Sequence, residues 1–73
     1  MGRLVRRVLD GHTTLIEWSP DDPITVEAAQ EVLRRELASG YMAVREDADG
    51  SVPVRQLPAD AELVVLTMPM GGG

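Results

Sequence analysis

The sequence predicts an α+β domain with the element order β-β-α-β-β-β. Three observations carry that prediction: one amphipathic helical stretch, β-rich runs on both sides of it, and a last run that is apolar on both faces. At 73 residues the chain makes one domain, not two. Its 19 Leu, Ile and Val residues, with no Phe, exceed the roughly one-fifth share below which disorder is the better expectation. A domain of this size buries only about 60% of the surface its unfolded chain exposes, so its core must be compact.

Arg3 to Leu9 and Thr13 to Trp18 are β-rich runs separated by Asp10-Gly11, a strong hairpin-turn dipeptide. Neither run alternates cleanly. Leu4 and Val8 share one face while Val5 and Leu9 share the other, as in a strand covered on one side and partly exposed on the other. Ser19-Pro20-Asp21-Asp22-Pro23 interrupts the pattern as a loop. Thr25 is placed to cap the helix that follows, with Glu27 in its first turn, where the helix dipole favours a negative charge. Val26, Ala29, Leu33 and Leu37, with Val32 beside them, form an apolar stripe on a helix of about fourteen residues. Gly40 suits a C-terminal cap.

Tyr41 to Glu46 reads as strand and Asp47 to Ser51 as a turn-forming loop. Val52 to Leu57 is a short edge strand, because Pro53 cannot donate to a ladder. Pro58 to Ala61 makes a tight turn, and Glu62 to Met68 closes the fold. Within it, Leu63-Val64-Val65-Leu66 has no polar face, the mark of a central strand. Together these elements place the first and last strands side by side at the centre of a mixed sheet, with one helix packed across it. That is the β-grasp arrangement. One β-grasp domain over residues 1–70, a flexible glycine tail over 71–73, and deep burial of Leu33, Val65 and Leu66 are the resulting expectations.

Composition narrows the function. With no Cys and one His, the chain has neither a disulfide scaffold nor a zinc knuckle nor a thiol nucleophile. No apolar run reaches the ~18 residues of a membrane span and no signal-peptide pattern opens the sequence, so a cytoplasmic protein without membrane contact is expected. A net charge of −5 argues against a nucleic-acid partner. Lys is absent, which removes every side-chain amine that could accept an isopeptide bond. Arg3, Arg6 and Arg7 give the first seven residues +3 and leave −8 for the remainder. That group could attract an acidic partner, or it could be a solvated strand face that blunts an exposed edge.

No catalytic constellation emerges. His12 lies at the hairpin turn with no residue at ligand or relay spacing. Asp21 and Asp22 suit turn formation and helix entry, and Asp47, Asp49 and Gly50 lack the distal Glu and the length of a calcium loop. No motif pairs a base with Ser19, Ser39 or Ser51. Trp18 and Tyr41, the only aromatic residues, fit core or boundary positions. The expectation is a protein that is not an enzyme and uses no metal or cofactor.

The tail is the informative segment. At a glycine usage of about 7%, three terminal glycines arise by chance in roughly 0.03% of chains. A carboxylate carried on residues without Cβ can thread a narrow channel and reach a nucleotide's α-phosphate, where any side chain would obstruct it. The whole chain resembles a ubiquitin-like β-grasp protein. Its ending, Thr67-Met68-Pro69-Met70-Gly71-Gly72-Gly73, is similar to the apolar-Pro-x-Gly-Gly ending of the small bacterial sulfur carriers of molybdopterin and thiamine biosynthesis. The resemblance implies that Gly73 carries an activated carboxylate, that Gly72 and Gly71 thread an adenylating enzyme, and that Met68, Pro69 and Met70 pack at that enzyme's docking surface. The implied partners are that E1-like enzyme and an acceptor protein or sulfur-transfer enzyme, with the chain itself a monomer. Three glycines in place of two, a single proline, and no arginine before the glycines depart from the patterns of the family. A different class of function is a non-catalytic interaction module that binds through its sheet, with Arg3, Arg6 and Arg7 contributing charge.

Overall fold

Six elements form in the expected order in the computed structural model, which describes residues 1–69. They are β1 (Gly2–Val8), β2 (Gly11–Trp18), α1 (Pro23–Ala38), β3 (Met42–Asp47), β4 (Gly50–Val54) and β5 (Leu63–Thr67). The strands make one sheet in the order β2-β1-β5-β3-β4. β1 and β5 run parallel at the centre, the other pairs are antiparallel, and β4 is an edge strand. The α+β class and the β-grasp topology are therefore as the sequence predicts.

The two hairpins share one construction. Val8 pairs with Gly11 and Asp47 with Gly50, so the turns are Leu9-Asp10 and Ala48-Asp49. Each turn delivers the chain to a glycine at positive φ, +142° at Gly11 and +125° at Gly50, where an L side chain would be strained. Asp47 Oδ1 accepts the Asp49 N–H at 2.8 Å and tightens the second turn. The first turn is thus one residue earlier than Asp10-Gly11, and this leaves Leu9 fully exposed at its tip.

The register of β1 against β2 shifts between Leu4 and Val5: Leu4 lies opposite Ile16 and Val5 opposite Thr14. Leu15 is the extra residue of a β-bulge, and both Leu15 and Ile16 pack against the core. That bulge is why β2 does not alternate. On the helix side of the sheet, Leu4, Trp18, Ala43, Val64 and Leu66 join Ala29 and Leu33 of α1 in one buried cluster, closed by Leu57 and Ala61. The indole N–H of Trp18 donates to the Ala59 carbonyl at 3.0 Å, and Gln30 Oε1 accepts the Leu57 N–H at 2.8 Å. Those two bonds hold the segment between β4 and β5 beneath the helix.

Asp22, not Thr25, caps α1. Its carboxylate accepts the Ile24 N–H at 3.1 Å, and Pro23 opens the helix where a missing N–H costs nothing. Thr25 instead accepts the Ser19 N–H at 2.9 Å and ties the entry loop to the first turn. The earlier start makes a 16-residue helix and puts Glu27 beyond its first turn. Asp22→Ala should lower stability by about 1 kcal/mol. A urea titration checks this, and an unchanged midpoint would move the cap elsewhere.

Val5 and Val65 are buried although they face away from α1. Arg7 of β1 and Glu46 of β3 flank β5 on that open face, two residues beyond and two residues before the level of Val65. Their ion pair, at 3.9 Å, crosses β5 diagonally over this valine. Aliphatic stems of long charged side chains thereby shield the middle of a face on which the described residues place no second layer.

Candidate functional site

β5 carries the candidate site. Val64, Val65 and Leu66 are fully buried, and the strand has a hydrogen-bonded neighbour on each side, so its end is fixed by the middle of the fold. Thr67 lies opposite Met42, and Met68 follows, more than half exposed, with its sulfur near Gly40. Pro69 is also exposed. The chain leaves the sheet at the end that also holds the C-terminus of α1 and the β1–β2 turn. Met70, Gly71, Gly72 and Gly73, on which the proposed activation chemistry falls, lie outside the described residues.

The arginines of β1 do not form one group. Successive strand residues face opposite sides, so Arg3 and Arg7 project from the open face and Arg6 from the helix side. β1 has neighbours on both sides, and this corrects the idea that these arginines blunt an exposed edge. Arg6 Nε donates to Glu36 Oε1 at 3.1 Å, a second guanidinium nitrogen contacts the same oxygen, and the guanidinium stacks 4.9 Å above the Tyr41 ring. The hydrogen bond to Glu36 is the main reason its pKa rises above the ordinary arginine value. Arg6 thus clamps β1 to the last turns of α1 and to the entry of β3. Tyr41 is the platform of that clamp, at the boundary of the core.

Sequence reading missed the surroundings of the exit. Val8, Leu9, Met42 and Met68 are four of the seven large hydrophobic residues that are exposed among the described ones, and all four stand at this end of the sheet. Beside them Leu37, Tyr41, Met42, Pro53, Val54 and Arg55 line a groove of about 420 Å³. A signal existed for Leu9, an apolar residue next to a turn dipeptide. Met42 looked like one half of an ordinary alternation. No group of three or more His, Cys, Asp or Glu residues among the described ones is arranged to hold a metal ion, and no helix among them is long and apolar enough to cross a membrane. No protein-family model, curated protein or solved structure matches the chain.

Proposed function

We propose that this chain is a ubiquitin-like protein modifier or sulfur carrier, activated at the carboxylate of Gly73 by an adenylating enzyme. The observation that supports this reading most is the position of β5. A central strand whose middle three residues are fully buried leads to Met68 and Pro69, with Met70-Gly71-Gly72-Gly73 next in the sequence, so a partner that grips the domain also holds the chain just ahead of the glycines. In the proposed step a Gly73 carboxylate oxygen attacks the α-phosphate of ATP, and pyrophosphate leaves. A sulfide, thiol or amine then attacks the acyl carbon, and AMP leaves with the bonding pair. The chain supplies the carboxylate and the docking surface, while the partner enzyme performs the chemistry. Met68, Pro69 and Met70 would pack against that enzyme.

A second reading, a module that binds a partner without covalent chemistry, is favoured by the exposed apolar residues around the exit, which need no glycine tail to act. Tail variants separate the two. Gly72→Val, and a version with one bulky residue added after Gly73, should both lose activation while keeping the fold, because the buried core among the described residues is built between Leu4 and Leu66. Wild type and both variants are incubated with ATP and lysate from the native source and examined by intact-protein mass spectrometry. A thiocarboxylate or amide adduct on wild type alone is the expected result. No adduct on any of the three, with partner binding intact in all, would replace the modifier reading with the binding module.

A further inference from the structure

We infer that the end of the sheet from which β5 exits is a docking surface for a partner protein whose apolar centre is ringed by carboxylates. The inference holds whether or not Gly73 is ever activated. It rests on two independent distributions that coincide at this end.

The first is apolar exposure. Leu9 at the β1–β2 turn, Val8 beside it, Met68 after β5 and Met42 at the start of β3 follow one another along the sheet's end in strand order. Beyond Met42 the row opens into the groove lined by Leu37, Tyr41, Pro53, Val54 and Arg55. Three neighbouring strand ends, of β1, β5 and β3, spaced about 4.8 Å apart, make a strip that one continuous partner surface can cover. Isolated exposed hydrophobic residues are ordinary, but a row of them beside a groove marks an interaction site.

The second is charge. Arg6, Arg7, Arg34, Arg35 and Arg55 belong to this half of the molecule, together with Asp10, Glu31 and Glu36. The other half holds only Arg3 and Arg45 against the remaining nine carboxylates. The chain's −5 is therefore divided into about +2 around the strip and −7 away from it. At physiological salt a charge acts over roughly 8 Å, so a partner meeting the strip senses its arginines together with their ion-pair partners Glu31, Glu36 and Glu46, a small positive excess led by Arg55, and not the more distant carboxylates. An approaching acidic surface is turned so that the strip arrives first. The −7 half repels a polyanion long enough to wrap the molecule, and the strip's apolar centre calls for a protein surface.

The test uses the full ¹⁵N-labelled chain and two synthetic amphipathic helical peptides. Both carry leucines on one face; the polar face is glutamate in one and lysine in the other. The glutamate peptide should shift the amide resonances of Leu9, Met42, Met68 and Arg55, more weakly as salt rises, while the lysine peptide should not. Leu9→Asp and Arg55→Glu, both at exposed positions, should each weaken that binding by about tenfold. The variant extended after Gly73 should bind the peptide like wild type, so a failed activation assay and a failed docking assay are distinguishable. Equal response to both peptides, or shifts confined to the open face or the acidic half, would overturn the inference. Movement of the same resonances on dilution of the protein alone would also overturn it, by assigning the strip to a second copy of the chain.

Discussion

Leu33→Ala is expected to lower the unfolding free energy by about 2–5 kcal/mol, a large share of what a small domain possesses. Leu33 is fully buried on α1, in the same cluster as Leu4, Val64 and Leu66 from the two central strands. Deleting its branched end removes the largest fully buried side chain that α1 sends into the middle of the sheet, in a core with few other large side chains to close the gap. Trp18 is the single tryptophan and is itself buried, so its fluorescence reports the transition in urea without a label. Leu9→Ala is the matched control: the same substitution at a fully exposed position should stay within about 0.5 kcal/mol of wild type. A Leu33→Ala effect as small as the control's would mean that the helix is held by something other than its apolar stripe.

The fold was legible wherever one period dominated. The spacing of Val26, Ala29, Leu33 and Leu37 could only be a helix with a buried stripe, and the unbroken Leu63 to Leu66 run could only be a strand covered on both faces. From those two elements and the flanking β-rich runs, the β-grasp order follows. What stayed hidden were features set by partners distant in sequence. Nothing local told Asp22 from Thr25 as the cap, because both are good capping residues; Pro23 and the bond between Thr25 and Ser19 decide it. The bulge at Leu15 and Ile16 was hidden for a similar reason. Two adjacent apolar residues in a strand suggest broken alternation, and only the pairing register against β1 explains it.

The site was legible as sequence in its tail and illegible as a surface. Glycines at a chain end can be seen without a fold, whereas the strip of Val8, Leu9, Met42 and Met68 comes from three separate parts of the chain. It exists only once β1 and β5 run parallel and end together. The same is true of charge. The early cluster Arg3, Arg6 and Arg7 looked like one patch, yet strand geometry sends its members to two faces, and one is used in a clamp with Glu36 and Tyr41. The division that survives folding is between the two ends of the sheet, and it recruits Arg34, Arg35 and Arg55 from far along the sequence.

Gly2→Ala should cost about 3 kcal/mol or more, although local propensity alone predicts a gain. Alanine in place of glycine within a strand lowers the entropy lost on folding and would ordinarily help by about 0.5–1 kcal/mol. Here a Cβ at position 2 would stand 2.1 Å from Cε2 and 2.2 Å from Cζ2 of Trp18. The indole cannot move aside cheaply. It is almost wholly buried, and its N–H is bound to the Ala59 carbonyl at 3.0 Å, so displacement sacrifices both packing and a hydrogen bond. The sign of the effect thus separates the two accounts. A double-mutant cycle with Trp18→Leu sharpens the test, since a smaller side chain leaves room for the added methyl group. Trp18→Leu should itself destabilise, and Gly2→Ala in that background should be neutral or mildly stabilising, measured by far-ultraviolet circular dichroism because the fluorophore is gone. An equal cost in both backgrounds would show that the indole is not what excludes a side chain from position 2.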